Sequence, residues 1–346
     1  MRETVAMHAL VLRDLRSVAF EERPKPVPAT GEALVRVLSA GICGSEIHAY
    51  HGKHAKRVPP AIMGHEVCGI VQALGPGVEG PAVGTRVVVL PQKACGACHW
   101  CGRGTPNLCD RKVMLGETSW AGGYAEFFTT PAELLYAVPD HVSDDVATLI
   151  EPLAVAVHAV RRGRIGRDDA VMVMGAGAIG LMTVVAARQA GARVILATDI
   201  VDYNLDRSRA LGATHTLNVS NGDPVELAHE LTGGFGLDAA LMAADAPGLF
   251  DQAIDAVRKQ GSVVLIAMFP DARSVNLQNP KAREQAVLGS LTFTQEDFAT
   301  ARDIVGAHAD DLAACITHRF PLGEGERAFR LADERGEDLI RVVLKP

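Results

Sequence analysis

The sequence predicts an α/β protein with two domains, an irregular, mostly antiparallel β domain and a doubly wound domain with a parallel sheet. The chain has 346 residues, which is enough for about two hydrophobic cores. Short strand-like segments separated by Gly and Pro occupy residues 1–140, which is typical of an irregular β domain. From Ala170 onward, strands alternate with helices, which is the pattern of βαβ units and a parallel sheet.

The elements follow in order along the chain. The predicted strands of the first domain are "HALVLRD", "ALVRVLSAGIC", "EVCGIVQALG", "TRVVVLP" and "YAEFFTT". A long helix is expected from Ser143, a good N-cap followed by two acids, to about Gly163. The strands "AVMVM", "RVILAT", "LDAALM" and "SVVLIA" then alternate with helices such as "NLDRSRALGA" and "PGLFDQAIDAVRKQ". After Gly289 two helices, "QEDFATARDIVGAH" and "GEGERAFRLADE", precede a last strand, "DLIRVVL". We therefore expect one domain from residues 1–152 and 290–346, and the other from 153–289.

Composition and charge narrow the classes of function. Hydrophobic residues make up 48% and charged residues 22% of the chain, as in ordinary globular proteins. The net charge of −7 argues against nucleic acid or an anionic membrane as the main partner, since both require basic patches. The segment "MRETVAMHALVLRDLRS" has no apolar core of a signal peptide, so we expect a cytoplasmic protein with reduced thiols.

Residues 170–187 are uncharged over a length close to that of a membrane span. Gly175, Gly177 and Gly180 follow a short β-rich run here, which favours a buried strand, a turn and a buried helix over a membrane helix. The same "GAGAIG" has the spacing of a dinucleotide-binding loop. The glycines would permit a tight turn, close approach of the backbone to a pyrophosphate, and close helix–strand packing, with Ala178 and Ile179 opening the helix.

The strand "RVILATD" ends in Asp199, nineteen residues beyond Gly180, where such folds carry an acidic residue for the ribose hydroxyls. A carboxylate at this place repels a 2′-phosphate. Residues 200–206 contain no Arg or Lys that would bind one. The sequence therefore favours NAD over NADP.

Four of the seven cysteines lie in "CGACHWCGRGTPNLC". The four are Cys95, Cys98, Cys101 and Cys109. Such a cluster forms disulfides, holds a metal ion or cluster, or is accidental. Reduced thiols in the cell favour a metal. Three further segments, "GICGSEIH", "GHEVCG" and "LIEPLAVAVHAV", contain Cys, His and carboxylate side chains, which are all zinc ligand types. Glu151 is notable because it interrupts an apolar helical face, and a buried carboxylate needs a partner or a metal.

These motifs, in this order and spacing, resemble the zinc-dependent medium-chain alcohol dehydrogenases, over essentially the whole chain. The version "EPLAV" is most similar to the branch of sorbitol, threonine and butanediol dehydrogenases. The resemblance implies a GroES-like catalytic domain, a Rossmann NAD-binding domain, and a structural zinc ion held by the four cysteines in a lobe spanning residues 93–112. Four thiolates form a closed tetrahedral zinc site, and the spacing from Cys101 to Cys109 does not match the C-x3-C-P end of ferredoxin-type iron–sulfur motifs.

The resemblance also implies a catalytic zinc ion. Its ligands would be Cys43, His65 and Glu151, with Glu66 as a fourth carboxylate that binds directly, through water, or moves away. Charge favours Glu66 off the metal during the chemical step, because the Cys43 thiolate and Glu151 already neutralise Zn2+.

Further residues near the predicted zinc would move protons or orient ligands. Ser45 and His48 occupy the positions of the proton relay. Relatives usually carry Asp where this chain has Glu46, and this acid is expected to orient His65. Cys68 and Cys315 match no ligand position and are expected in the core.

The expected reaction is transfer of a hydride between a secondary alcohol and NAD(H), giving a ketone. The alcohol would be a polyol, sugar alcohol, diol or amino alcohol. Thr118 and Trp120, in "LGETSWAGG", are candidate substrate residues, although Trp120 suits surface packing equally well. A homo-oligomer, preferably a tetramer, is expected from the resemblance. The alternatives are a zinc-free NAD(P)H reductase of the same fold and a non-enzymatic zinc interaction module.

Overall fold

The computed structural model describes residues 5–336 and 338–346. The first four residues of the segment considered above as a signal peptide therefore lie outside the described residues. The described chain divides into two compact units. Unit 1 comprises Met1–Glu151 with Arg302–Pro346, and unit 2 comprises Pro152–Ala301. The boundaries at 152/153 and 289/290 stay a prediction.

The elements are numbered in chain order. The strands are β1 (Ala6–Asp14), β2 (Ser17–Pro24), β3 (Glu32–Gly41), β4 (Ala61–Ile62), β5 (Glu66–Leu74), β6 (Arg86–Val89), β7 (Gln92–Lys93), β8 (Val113–Met114), β9 (Phe127–Pro131), β10 (Leu135–Ala137), β11 (Ala170–Met174), β12 (Val194–Asp199), β13 (His215–Asn218), β14 (Leu237–Met242), β15 (Val257–Leu265), β16 (Ala286–Gly289), β17 (Ile316–Pro321) and β18 (Arg341–Lys345). The α-helices are α1 (Gly44–Tyr50), α2 (His99–Gly102), α3 (Asp144–Ala147), α4 (Ile150–Arg162), α5 (Ala178–Ala190), α6 (Asp202–Leu211), α7 (Pro224–Leu231), α8 (Leu249–Ala256), α9 (Gln278–Ala282), α10 (Gln295–Ala307), α11 (Ala309–Ala313) and α12 (Gly325–Glu334).

Unit 1 is built on a sheet in the order β10-β6-β5-β3-β18-β17, with β9 also paired to β3. The neighbouring strands are antiparallel except β17 and β18, which are parallel. Strands β2, β1 and β4 form a smaller sheet, and β7 pairs with β8. The irregular, mostly antiparallel β domain is thereby confirmed. Its central strands position two candidate residues: Cys43 follows shortly after the end of β3, and His65 immediately precedes β5.

Unit 2 contains a six-stranded sheet in the order β13-β12-β11-β14-β15-β16, and all its neighbouring strands are parallel. Every residue of β11 is buried, as expected for a central strand covered on both faces. The strand order is that of a doubly wound dinucleotide-binding fold, which confirms the predicted parallel sheet. Residues 170–187 form β11, a turn and most of α5, as predicted. Across residues 5–336 and 338–346, no helix is both long and apolar enough to cross a membrane.

Two predicted helices differ from those found. The helix expected from Ser143 to Gly163 is divided into α3 and α4, because Pro152 lacks an N–H and its ring would clash with the carbonyl of residue 148 in a continuous helix. The Ser143 N-cap is confirmed, since its Oγ accepts a hydrogen bond from the Val146 N–H at 3.3 Å. The helix expected over 247–260 ends at Ala256, because β-branched Val257 begins β15 and pairs with Leu237 of β14.

Candidate active site

The short helix α1 positions the first group of candidate residues. Cys43 is its N-cap, directly after strand β3, and Ser45 and Glu46 lie in its first turn. The Glu46 carboxylate accepts a hydrogen bond from the Cys43 N–H at 2.8 Å, which satisfies one of the free donors at the helix start. This local contact fixes the direction in which the chain leaves Cys43.

Glu46 also joins α1 to His65, which immediately precedes β5. Its Oε1 lies 2.7 Å from His65 Nδ1 and accepts a hydrogen bond from the Gly64 N–H at 3.0 Å. Its Oε2 lies 2.6 Å from the Tyr124 hydroxyl. Burial alone raises the pKa of Glu46, but the charge and hydrogen bond of His65, with Arg57 and Tyr124, lower it to about 2. The carboxylate is therefore ionised, and the extra methylene of Glu46 does not prevent the predicted contact with His65.

The orientation of His65 leaves its other ring nitrogen for a metal. With Nδ1 held by Glu46, Nε2 lies 4.0 Å from Glu151 Oε1. Burial lowers the pKa of His65, and the charge of Glu46 outweighs this effect and raises the pKa well above its ordinary value. A carboxylate on the far nitrogen makes an imidazole a more basic ligand.

The donor set around His65 fits a zinc ion. One ligand atom each from Cys43, His65 and Glu66 lie within 4.8 Å of one another. Glu151, in the first turn of α4, approaches the same imidazole and is itself buried. Burial raises the pKa of Glu151 to about 7, although His65 lowers it. A buried carboxylate in this position is stabilised by a cation, and thiolate, imidazole and carboxylate are the ligands that zinc accepts.

Glu66 forms an ion pair with Arg341, a residue that the sequence motifs do not indicate. Its Oε1 accepts a hydrogen bond from Arg341 Nη1 at 2.9 Å, and both side chains are buried. Its Oε2 has no hydrogen-bond partner among the described residues. Burial raises the pKa of Glu66 while Arg341 lowers it. The charge argument against Glu66 on the metal is thereby weakened, because Arg341 compensates the charge of Glu66.

Ser45 and His48 follow Cys43 on α1. The Ser45 hydroxyl accepts a hydrogen bond from Arg57 Nη1 at 2.7 Å. His48 is partly buried, and its Nδ1 has no hydrogen-bond partner within the described part of the chain. Burial, together with Lys53, Arg335 and His51, lowers the pKa of His48. The lowered pKa favours the neutral imidazole of His48.

The four-cysteine lobe is an excursion between the short paired strands β7 and β8. One Sγ from each of the four cysteines lies within 4.8 Å of the other three. The Sγ atoms of Cys98 and Cys101 are 3.5 Å apart, and those of Cys95 and Cys101 are 4.0 Å apart, so none of the four forms a disulfide. Four unpaired thiols at this separation match a tetrahedral zinc site.

The ionisation of the thiols in the lobe is uneven. The backbone N–H of Ala97, with a further contribution from Arg111, lowers the pKa of Cys95 to about 6. Desolvation and the neighbouring thiols raise the pKa of Cys101 to about 11. Close thiolates repel each other, so a bound cation is needed to ionise all four together.

The glycine loop of unit 2 fits a dinucleotide. Gly175 has a φ of +90°, and a Cβ on Gly180 would lie 1.8 Å from the Gly175 oxygen, so both positions require glycine. A Cβ on Gly177 would meet no atom within 4 Å, which leaves open space at the N-terminus of α5. Asp199, at the end of β12, accepts a hydrogen bond from the Ala176 N–H at 2.6 Å. The acid and the loop are therefore adjacent, as the spacing predicts.

Thr118 and Trp120 line a different part of unit 1. They border a cavity of about 420 Å³ together with Pro60, Ile62 and Phe127, and none of the predicted catalytic zinc ligands lines it. Trp120 is buried, and its Nε1 donates to the Thr129 carbonyl at 2.9 Å. Their role toward the substrate stays a prediction.

Comparison with known proteins identifies the family. Residues 29–140 match the family model of the alcohol dehydrogenase GroES-like domain, and residues 178–306 match that of the zinc-binding dehydrogenases. Sorbitol dehydrogenase of Halalkalibacterium halodurans is 32% identical over 95% of this chain and 95% of its own. L-threonine 3-dehydrogenase of Pyrococcus horikoshii is 31% identical over 88% of this chain and 89% of its own. The chain belongs to the zinc-dependent medium-chain dehydrogenases.

Solved structures of similar proteins contain nicotinamide cofactors. An alcohol dehydrogenase of Escherichia coli complexed with NADH has a TM-score of 0.90, 28% identity, and coverage of 99% of both chains. A protein from Sinorhizobium meliloti bound to NADP has a TM-score of 0.92 and 29% identity, covering 99% of this chain and 100% of its own. This medium-chain dehydrogenase is thus a zinc-dependent oxidoreductase of alcohols that uses a nicotinamide cofactor, as predicted.

Three residues near this centre were not found from the sequence. Arg57 contacts Ser45 but lies in a loop that also contains two lysines, and Tyr124 contacts Glu46 but opens the predicted strand "YAEFFTT", so neither stands out in the sequence. Arg341 is different, because it stands in the otherwise apolar strand "LIRVVL". A lone arginine in a buried strand needs a carboxylate partner, so it was a usable signal.

Proposed function

We propose that this dehydrogenase oxidises a secondary alcohol to a ketone with NAD+, and that Cys43, His65 and Glu151 hold its catalytic zinc. The supporting observation is the convergence of the Cys43 thiol and the buried Glu151 carboxylate on the oriented imidazole of His65, whose Nε2 lies 4.0 Å from Glu151 Oε1. When bound, zinc supplies Lewis-acid activation of the alcohol, and NAD+ accepts the hydride. The reverse reduction of the ketone is equally allowed.

Glu66 keeps its ion pair with Arg341 during the chemical step in this proposal. The thiolate of Cys43 and the carboxylate of Glu151 then neutralise the metal, and the Glu66–Arg341 pair adds no net charge. A neutral set preserves the ability of the metal to acidify an alcohol. The Oε2 atom of Glu66 stays available for a water molecule or for transient approach to the metal.

Ser45 and His48 carry the proton. The Ser45 hydroxyl accepts the proton of the alcohol and releases its own proton toward the cofactor ribose and His48. His48 accepts it in its neutral form, which burial favours by lowering the pKa of the imidazole. Glu46 keeps the His65 ring in place through the 2.7 Å contact at Nδ1.

The cofactor is held by the loop of Gly175, Gly177 and Gly180, with Ala178 and Ile179 at the start of α5. Asp199 accepts the ribose hydroxyls and repels a 2′-phosphate, so we propose NAD as the preferred cofactor. Cys95, Cys98, Cys101 and Cys109 hold a second, structural zinc. We propose a cytoplasmic homo-oligomer, with a tetramer preferred over a dimer.

We propose a polyol, sugar alcohol, diol or amino alcohol as the substrate. Thr118 and Trp120 are proposed to lie on the side of the domain where the substrate binds. The relatives named above act on sorbitol and on L-threonine. The test is metal analysis with NAD titration, followed by a screen of D-sorbitol, 2,3-butanediol, L-threonine and L-galactonate. We expect two zinc ions per chain, NAD binding, and turnover of at least one alcohol. A chain without zinc would point to a zinc-free reductase, and one zinc without NAD binding would point to an interaction module.

A further inference from the structure

Arg57 is a buried cation beside the predicted proton relay. It lies in the loop between α1 and β4, and only 3% of its surface is exposed. Its Nη1 donates to the Ser45 hydroxyl at 2.7 Å. No other described residue forms a side-chain hydrogen bond to Ser45, so this arginine determines the surroundings of that hydroxyl.

The loop holds Arg57 firmly on both sides. The Thr118 hydroxyl accepts from the Val58 N–H at 3.1 Å, and the Thr118 N–H donates to the Lys56 carbonyl at 3.1 Å. The Arg57 N–H itself donates to His54 Nδ1 at 3.1 Å. Desolvation, with the charge of Arg57, lowers the pKa of His54 to about 4, so the ring is neutral and can accept. The hydrogen-bonded backbone of this loop therefore holds the guanidinium against the Ser45 hydroxyl.

The remaining donors of Arg57 are poorly satisfied. Its Nη2 lies 3.2 Å from His65 Nδ1, but that nitrogen carries a proton for Glu46 whenever Nε2 faces a metal. Its Nε has no hydrogen-bond partner among the described residues. Arg86 in the same unit differs, since it donates to the carbonyls of Pro139 and Asp140. The buried Arg341 also has unsatisfied Nε and Nη2 atoms among the described residues, so the contact with the Ser45 hydroxyl, and not the unsatisfied Nε, distinguishes Arg57.

We propose that Arg57 is a positioning residue of the proton relay, which acts by donating to one lone pair of the Ser45 hydroxyl. A guanidinium only donates, whereas a hydroxyl has two acceptor sites and one proton. With one site taken by Arg57, Ser45 keeps one lone pair and one proton. Ser45 then has one acceptor for the alcohol proton and one donor for its own, which is what a hydroxyl that relays a proton requires.

The proton step balances and leaves Ser45 unchanged. The alcohol O–H bond breaks as a new O–H bond forms at Ser45, while the original serine proton leaves toward the path to His48. The hydride, with its electron pair, passes to NAD+. The nearby positive charge stabilises negative charge that develops on the Ser45 oxygen during this exchange. The buried Glu46 carboxylate, whose pKa Arg57 helps to lower, offsets the cost of burying the guanidinium.

The test compares Arg57→Met and Arg57→Lys with Arg86→Met, a matched loss of a partly buried arginine in the same unit. The zinc-loaded enzyme is assayed with NAD+ and whichever of D-sorbitol, 2,3-butanediol, L-threonine or L-galactonate is turned over fastest. We expect Arg57→Met to lower kcat about 100-fold with little change in KM. The solvent deuterium isotope effect on kcat should rise and the isotope effect of the transferred hydride should fall, because the proton step becomes limiting. Zinc content and NADH affinity should stay unchanged.

Other variants separate the role of Arg57 in the relay from an effect on folding. Arg57→Lys retains the charge and a donor and should recover about tenfold of the loss, and Arg57→Gln replaces Arg57→Met if the latter does not fold. In a Ser45→Ala background, Arg57→Met should change kcat less than twofold, because Arg57 acts through Ser45. An unchanged kcat in Arg57→Met, loss of zinc, or an equal loss in the Ser45→Ala background would overturn the inference. This inference rests on the proposed function, and a wild-type chain that oxidises no alcohol overturns both, whereas an active wild type with an indifferent Arg57 overturns this inference alone.

Discussion

The four-cysteine lobe and the cluster around His65 lie in the same unit, but they compensate their charges differently. The lobe brings four thiols within 4.8 Å of one another on a short excursion between β7 and β8, and three of them are partly exposed. In the His65 cluster the imidazole and the carboxylates are buried and the Cys43 thiol is half-buried, so the cluster mixes three kinds of ligand. It also contains its own counter-charges, Arg341 beside Glu66 and Glu46 beside His65.

This contrast shows which property of each site depends on the metal. Four thiolates without a cation repel each other, so the lobe needs zinc to hold its shape. The His65 cluster is already held by hydrogen bonds to Glu46 and by the Glu66–Arg341 pair, so its zinc is needed mainly for chemistry. Changes in the lobe should therefore act mainly on stability. In the cluster, loss of a zinc ligand should act mainly on turnover, and loss of a counter-charge should act on stability.

The largest effect is expected from Glu151→Gln. This change keeps the size of the side chain but removes one negative charge from the predicted zinc ligands. Catalytic-site zinc should bind more weakly and kcat should fall at least about 1,000-fold, since the metal contributes several kcal/mol to the chemical step. Metal analysis and kcat with the best substrate measure this.

Glu151→Cys is the control for that variant. It restores a negative ligand of the kind that zinc accepts, so it should retain zinc better than Glu151→Gln. Full zinc content and near-normal kcat in Glu151→Gln would exclude Glu151 as a ligand and would make Glu66 the third ligand.

In the lobe, Cys101→Ser should remove about one zinc ion per chain and lower the thermal midpoint by roughly 10 °C. The zinc at His65 and the KM for NAD should change little, because the lobe provides no ligand there. Zinc stoichiometry and a thermal melt measure this. Retention of both zinc ions would contradict the structural-zinc assignment.

Arg341→Met tests whether the cluster is compensated from within. Removal of the guanidinium leaves Glu66 buried without its partner, which should destabilise the protein by about 3–5 kcal/mol. The loss should be smaller when zinc is bound, because Glu66 is then free to turn to the metal. Unfolding by urea with and without zinc measures this. The double variant Arg341→Met/Glu66→Gln should regain most of the stability, and equal losses with and without zinc would argue against movement of Glu66.

The sequence predicted most of the fold because short strands separated by Gly and Pro mark unit 1, and the alternation of strands and helices marks unit 2. The fully apolar strand β11 followed by three spaced glycines led directly to the parallel sheet and to the loop beside Asp199. The division between α3 and α4 was not predicted, although Pro152, which causes it, is present in the sequence. Local pattern therefore predicted the existence of elements better than their ends, as is usual.

The site was predictable where residue type and spacing determine chemistry. The four cysteines come together as their spacing predicts, and Glu46 reaches His65. Arg57 lies in a loop, 12 residues away from Ser45 in the sequence. Arg341 lies in a strand, 275 residues away from Glu66. Such charge compensation depends on tertiary packing, which neither spacing nor periodicity encodes.

The proposed cofactor site of unit 2 differs from both metal groups, because its binding residues act without a metal ion. Asp199→Ala removes both the proposed acceptor of the ribose hydroxyls and the charge that repels a 2′-phosphate. NAD affinity should fall about tenfold or more, and the preference for NAD over NADP in kcat/KM should narrow by at least as much. Zinc content should be unaffected. An unchanged ratio of kcat/KM for the two cofactors would remove Asp199 as the determinant of selectivity.

The smallest effect is expected at Cys68, a cysteine of unit 1 that belongs to neither metal group. It is fully buried on β5, where it pairs with Ser39 of β3, and burial raises the pKa of its thiol to about 12. Cys68→Ala should therefore retain both zinc ions and wild-type kcat, and should lose only about 1 kcal/mol of stability for the small cavity. Zinc stoichiometry, kcat and urea unfolding measured beside Cys101→Ser complete the comparison. If Cys68→Ala lost zinc as Cys101→Ser is expected to, thiol count rather than the geometry of the lobe would determine metal content.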